Sequence, residues 1–508
     1  MVEKKYSLVL KRLLGNLIKL SPLGDFIFFV KVISMKIIIT ILLVFTFSLA
    51  ESQTLQHKQP VASKAQKDWH DMEYYLFAHF GPNTFTGLEW GLGDEKEDIF
   101  NPTNLDCDQW CRVAKAGGAK GIIITAKHHD GFCLWPSKYS THTVRESKWK
   151  DGKGDVLKEL STACKKYGLK FGVYLSPWDR NHPDYGTDKY NDVYVNMTKE
   201  IFANYGPIWE LWWDGANGEG PNGKKQVYDF QRFEKLVRSI SPNTVIFSDI
   251  GPDIRWVGNE NGIGGETNWN TLDTAGFTRD AGAPSTDTLK SGNANGKVWM
   301  TAECDVSIRP GWFYHRSEDT LVKSPATLFN LYLKSVGRGA DLLLNIPPDR
   351  RGLFNEHDSV ALVGFKKLLE ENFRNNLAKK GTGYVVSNNS KKIIKTLNDG
   401  IPDSFSATTL PHSQTMLIEL DKQRKINCVV LREDLSKGQQ CAKFQIKLKD
   451  KQGGLIKEIN GTTIGRKRVI SFPSAEAYKI EVSITEQKNS TRISEIEAYL
   501  IDERLIEN

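Results

Sequence analysis

Ile208-Trp209-Glu210-Leu211-Trp212-Trp213-Asp214-Gly215 is the stretch around which the rest of the chain is read. A mostly apolar run that ends on an acid, beside a Gly/Asn-rich stretch, predicts a buried strand that delivers Asp214 to the edge of a loop. A carboxylate fixed at a strand end and walled by indoles, which stack on a pyranose face, suits the nucleophile or base of a glycoside-cleaving site. The plain alternative is a core strand whose last residue caps a turn. Glu210 shares the parity of Asp214, so it is expected to point into the core and to need a partner there.

Outward from this run, short apolar segments at 75–78, 121–125, 170–175, 244–247, 298–301 and 341–345 alternate with helix-like segments. With 208–213 they make seven strand candidates, the pattern of a parallel α/β fold. One helix announces both its ends: Asp155 as N-cap, Val156, Leu160 and Ala163 on one face, and Gly168 as its stop. A doubly wound open sheet shares the alternation, but no GxGxxG follows the first strand, and polar residues cluster after strand after strand. The reading is therefore a (β/α)8-like barrel with one cryptic strand, its C-terminal strand ends forming a single mouth. From about Ser387 the pattern changes to short alternating runs such as 428–431, 443–448 and 478–484, which predict a β-sandwich. The boundaries read are 1–50 for a leader, 51–378 for the barrel, closed by an amphipathic stretch at 361–377, and 379–508 for the second module.

The 508 residues carry 68 basic and 61 acidic side chains, a net charge of +7 with both signs mixed. No one-sign block points to nucleic acid. Met35-Lys36, the apolar run 37–47 and Ser48-x-Ala50 together form a signal-peptide pattern, with Met35 as the expected start and a secreted or periplasmic destination. An uncleaved anchor would need roughly 20 uninterrupted apolar residues, and Lys31 and Lys36 interrupt the run. No membrane span is expected after cleavage. Seven irregularly spaced cysteines form neither a disulfide framework nor a CxxC zinc pair. Asn196, Asn388, Asn460 and Asn489 head glycosylation triplets.

Three histidines reach the expected mouth: His79 after the first strand, and His128 and His129 after the second. Neutral imidazoles both donate to and accept from sugar hydroxyls. Neighbouring side chains on a regular strand face opposite ways, so one of the pair 128–129 can be structural unless both lie beyond the strand end. Histidines and an acid at barrel strand ends also describe metal-dependent hydrolases, but the first strand lacks a His-x-His pair; no metal and no cofactor are expected. Glu89-Trp90 and Tyr174 are placed to close around a small ring. A second carboxylate is required as general acid, and the Gly/Asn-rich stretch 254–269, read as a loop after the fifth strand, offers Glu260 and Glu266. Spacing does not choose between them.

AHFG at 78–81, EW at 89–90, KHHDGF at 127–132, GVYLSPW at 172–178 and LWWDGANGEGPNG at 211–223 together resemble the α-L-fucosidases of glycoside hydrolase family 29, over roughly residues 69–371. NIPPDRRG at 345–352 is similar to the same family. The resemblance implies Asp214 as nucleophile and Glu260, rather than Glu266, as acid/base of a retaining double displacement. It implies that His79, His128, His129, Glu89, Trp90 and Tyr174 grip fucose, and that Trp312 packs beside its ring or C6 methyl. The loop 217–223 and the GNExG pattern at 258–262 resemble the branch acting on α-1,3/1,4-linked fucose, so fucosylated oligosaccharides or glycoconjugates are the implied partners. The C-terminal segment resembles discoidin-like modules, with a role in bracing the barrel or in binding sugar. The competing class is a catalytically silent glycan-binding protein that keeps the pocket.

Overall fold

Eight parallel strands close into a barrel, in which the first strand, 74–78, pairs with both 121–127 and 341–345. The computed structural model describes residues 59–279, 282–387, 390–401 and 415–506. The leader read at 1–50 lies outside them. In chain order come α1 (Lys64–His70), β1 (Tyr74–Ala78), α2 (Asn83–Thr86), α3 (Cys107–Ala116), β2 (Gly121–Lys127), α4 (Val156–Tyr167) and β3 (Lys170–Leu175). Then follow α5 (Asp188–Tyr205), β4 (Glu210–Trp212), α6 (Phe230–Ile240), β5 (Val245–Ser248) and β6 (Ile254–Trp256). A small hairpin of β7 (Thr271–Leu272) and β8 (Val298–Trp299) brackets α7 (Thr286–Ser291). The barrel finishes with β9 (Thr301–Ser307), α8 (Pro325–Lys334), β10 (Asp341–Asn345) and α9 (Glu356–Phe373).

Strand alternation sorts the side chains into two cores. Tyr75, Phe77, Ile123, Tyr174, Trp212, Phe247 and Leu343 fill the barrel interior. Leu76, Ile122, Ile124, Val173, Leu211 and Trp213 instead pack outward against the helices. Each such buried aliphatic side chain contributes about 1.5–3 kcal/mol. The helix read from 155 to 168 forms as its sequence predicts: Asp155 accepts from the Lys158 amide at 2.9 Å, and Gly168 closes it at φ 69°. Trp69 of α1 enters the interior at the strands' N-terminal end and donates to Glu210 Oε2 at 2.9 Å.

Three readings of the barrel need correction. The cryptic strand is β6, three residues long, inside the stretch read as a loop; its buried Arg255 donates to Leu289 O at 2.8 Å and Asn268 Oδ1 at 2.9 Å, so its polar character hid it. The segment 298–301 is not the barrel strand: Val298 and Trp299 pair with β7, while β9 starts at Thr301 and carries Glu303, Asp305 and Ser307, all buried. Glu260 consequently follows the sixth strand rather than the fifth.

The C-terminal strands are β11 (Thr382–Ser387), β12 (Ser390–Ile393), β13 (Thr415–Glu433), β14 (Cys441–Lys449), β15 (Leu455–Gly461), β16 (Arg468–Gln487) and β17 (Ile493–Tyr499). They form one seven-stranded antiparallel sheet, and β13 and β16, of 19 and 20 residues, are far longer than the short runs expected. Register shifts between Glu419 and Arg424 and between Ile426 and Cys428 let the long strands bend. Both halves of β13, from Met416 to Leu431, thereby share one apolar core with Phe444, Ile480 and Val482. The other face joins the barrel: Cys428, Val430 and Tyr499 belong to the barrel's outer core, and the Val469 amide donates to Gly337 O at 2.8 Å. All seven cysteines are buried free thiols; the nearest pair, Cys111 and Cys164, has sulfurs 3.9 Å apart.

Candidate active site

Asp214 emerges just past the end of β4, half-buried. Its Oδ1 accepts from the Ala216 amide at 2.7 Å and its Oδ2 from the Tyr174 hydroxyl at 2.9 Å. His129 Nε2 lies 3.7 Å from the same Oδ2, while its Nδ1 is 2.8 Å from Ser176 Oγ. The carboxylate is thus aimed from both sides by groups on or beside strands. Gly215 is required by a second acid: a Cβ there would sit 2.3 Å from Asp249 Oδ2. Burial, and then the Asp214 anion, push Asp249 up to about 6.

The indoles of the opening stretch divide. Trp212 faces inward, stacked on Phe247 at 4.0 Å and on Tyr174 at 5.3 Å. Trp213 faces outward against Phe230, so it builds no wall of the mouth. Glu210 meets the expected core partner. It is fully buried beside Glu303, which accepts from Trp212 Nε1 at 2.7 Å and from the Tyr75 hydroxyl. Burial pushes Glu303 up to about 7, and burial, with Glu303 beside it, raises Glu210 well above the carboxylate range, so the site favours a proton held between the two. Their position at the base of the barrel makes them a structural pair.

His128 and His129 both lie beyond the end of β2, where strand parity no longer separates them; their rings are 4.2 Å apart and both are buried at the mouth. His79 Nδ1 is 2.9 Å from Asn345 Oδ1. Burial lowers His79 to about 3 and His129 to about 4, and burial and its two histidine neighbours hold His128 well below its ordinary value. All three are therefore neutral near pH 7, able to donate and accept at once. Among the described residues no group of three or more His, Cys, Asp and Glu side chains is arranged to hold a metal ion. Trp90 is 54% exposed and meets His129 and Trp178 edge-on, at 5.3 and 5.5 Å, forming a rim.

Glu89 does more than face solvent. Its carboxylate accepts from the Trp312 amide at 2.6 Å and approaches His315 Nε2 at 2.6 Å, fixing the loop that carries Trp312. Trp312 in turn lies 5.0 Å from the His79 ring and donates through Nε1 to Glu260 Oε2 at 3.1 Å. A continuous path of contacts thus joins Glu260, Trp312, His79, Tyr174 and Asp214. Glu266 points elsewhere. It is paired with Arg338 and, at 2.6 Å, with Arg468.

Asp305 was missed by the sequence reading. It is buried on β9, accepts from Trp256 Nε1 at 2.9 Å, and is raised well above the carboxylate range by burial and next by Glu260. The signal was the spacing Glu303-x-Asp305-x-Ser307, one face of a strand that had been placed too early. Asn345, singled out only within a motif, is the scaffold of His79 and also donates to Ser307 Oγ at 2.9 Å. A cavity of about 380 Å³ lined by Ser63, His70, Trp299, Glu433 and Arg466 shares no residue with this cluster.

The alpha-L-fucosidase family model matches residues 48–373, which span the whole barrel. The chain belongs to the alpha-L-fucosidase family, glycoside hydrolase family 29. As a member it is a glycoside hydrolase, an alpha-L-fucosidase, and the silent-binder alternative falls away. Alpha-L-fucosidase 1 of Arabidopsis thaliana is 38% identical over 449 residues, covering 87% of this chain and 88% of the relative. The crystal structure of a glycoside hydrolase 29 family member from an unknown rumen bacterium superposes with a TM-score of 0.77 at 39% identity, covering 88% of this chain and 78% of that chain. A Ruminococcus gnavus GH29 fucosidase, solved in complex with fucose, gives a TM-score of 0.79 at 29% identity, covering 88% of this fucosidase and 96% of that chain. Both likenesses run through the C-terminal sheet as well as the barrel.

Proposed function

We propose that this alpha-L-fucosidase removes terminal α-1,3/1,4-linked fucose from glycans by a retaining double displacement. Asp214 attacks the anomeric carbon while Glu260 gives its proton to the departing glycosidic oxygen. The fucosyl ester on Asp214 is then hydrolysed by a water that Glu260, now a carboxylate, deprotonates, regenerating both groups. The observation that supports this assignment best is the oriented Asp214 carboxylate, with Tyr174 and Ala216 donating to its two oxygens and the contact path above running to Glu260. Donors aimed at an anion suit a nucleophile that must stay ionised. Neutral His79, His128 and His129 are the groups to hold fucose hydroxyls, with Trp90 and Trp312 against its apolar face.

Linkage preference rests on the loop after Asp214. Gly218 and Gly220 lie against the rings of Trp178 and Tyr185, where a Cβ would come within 2.1 and 2.3 Å. The Tyr185 hydroxyl donates to Asn217 Oδ1 at 3.1 Å and Trp178 Nε1 to Glu219 O at 3.1 Å. A loop pinned this way presents one fixed surface to the leaving sugar, which supports discrimination among linkages. Cleavage of α-1,2-, α-1,3-, α-1,4- and α-1,6-fucosylated oligosaccharides tests it: α-1,3 and α-1,4 substrates are expected to be cleaved fastest, and an α-1,2 or α-1,6 preference overturns the linkage assignment. The pattern at 35–50 supports export to a secreted or periplasmic location. N-terminal sequencing of the mature protein is expected to begin shortly after Ala50, and an intact leader contradicts it.

A further inference from the structure

We propose that Glu266 is a positioning residue through which the C-terminal module fixes the loop carrying Glu260. The inference deepens the acid/base reading of Glu260 and rests on it. Glu260 is exposed, and its side chain has one hydrogen bond among the described residues, to Trp312 Nε1. Its placement therefore depends on the backbone of the loop between β6 and Glu266. That loop leaves β6 with the Val257 amide on Glu303 O at 3.0 Å, is braced internally by Asn259, whose Nδ2 donates to Ile263 O at 3.0 Å and whose Oδ1 accepts from the Asn261 amide at 3.1 Å, and is caught again at Gly264. The Gly264 amide donates to Lys334 O at 2.8 Å, and Arg338 Nη1 donates to Gly264 O at 2.8 Å.

Glu266 closes the anchor from the other module. Arg468, the first residue of β16, donates through Nη2 to Glu266 Oε2 at 2.6 Å and through Nη1 to Glu266 O at 2.8 Å. Thr462 Oγ1 donates to the same carbonyl at 2.9 Å, and Arg338 holds the second carboxylate oxygen. One residue thus takes four bonds from two parts of the chain. The Glu266 side chain is 66% exposed but Arg468 only 8%, so Glu266 also supplies an acceptor that a largely buried guanidinium needs. The geometric effect of these bonds is separate: a displacement of about 1 Å at a catalytic group can cost on the order of a hundredfold in rate.

The test uses the full chain and two substrates. One is a fucosyl disaccharide, whose sugar leaving group needs a proton; the other is 2-chloro-4-nitrophenyl α-L-fucoside, whose leaving group does not. In kcat/KM, which reports the first displacement, Glu266→Gln and Arg468→Met are each expected to slow the disaccharide about tenfold and the aryl fucoside less than about twofold. Arg468→Lys, which keeps charge but loses the fork, is expected to fall between. Equal losses on both substrates, or no loss on either, overturn the proposal, and Glu266→Gln supplies this answer even where Arg468→Met fails to fold. Glu260→Ala is run alongside. If it too lacks the leaving-group dependence, the acid/base reading itself is wrong; if it shows it and Glu266→Gln does not, only the positioning role fails.

Discussion

Asp214 and Glu260 are held in opposite ways. Asp214 stands two residues beyond a covered strand, with a tyrosine hydroxyl and its own turn donating to it. Glu260 sits on a glycine-rich loop, exposed, with an indole as its side-chain partner among the described residues and with its backbone tethered several residues later by a different module. The difference matches the two tasks. A nucleophile is used once per half-reaction in one ionised state and benefits from fixed donors, whereas an acid/base must exchange protons with leaving group, water and solvent.

The comparison can be broken from either side. Asp214→Ala should lower turnover of every fucoside by roughly ten-thousandfold or more, read in steady-state kinetics, because no neighbouring group replaces the nucleophile. Glu260→Ala should cost about a hundred- to ten-thousandfold on natural linkages and far less on the aryl fucoside, with azide accelerating the latter. Rescue appearing in Glu266→Ala instead would exchange the two glutamates. Tyr174→Phe removes a bond to a charged group, about 1.5–3 kcal/mol, so kcat/KM should fall about ten- to hundredfold on both substrates alike. A leaving-group-dependent effect of Tyr174→Phe would erase the distinction drawn between the two carboxylates.

The smallest expected effect concerns Asp249. Burial and Asp214 raise it from 3.8 to about 6, so the folded state binds its proton more tightly than the unfolded chain. Its contribution to stability is full below about pH 4 and is lost as pH rises toward 6. Thermal denaturation across pH 4–7 should show a decline that Asp249→Asn flattens; identical profiles would remove Asp249 from the nucleophile's surroundings.

The apolar strands were legible because strand and helix periodicity differ and because barrel strands are covered on both faces. β6 and β9 were not, since Arg255, Glu303 and Asp305 are polar groups satisfied by partners far along the chain, such as Leu289, Trp212 and Trp256. Asp305 was lost with its strand. Glu260 and Glu266 were indistinguishable by spacing, and what separates them is Arg468, some two hundred residues away in a module whose contacts no local pattern reveals. Trp213 misled in the other direction, because a run of indoles shows stacking capacity but alternation decides which face each takes.

The assignment of Asp214 as nucleophile is tested most directly by trapping the intermediate. The enzyme is incubated with 2-deoxy-2-fluoro-α-L-fucosyl fluoride, digested, and its peptides sequenced by mass spectrometry. The account predicts one fluorofucosyl ester, on Asp214. An ester on Asp249, Glu260 or Asp305, or turnover with inverted configuration and no adduct, would contradict it.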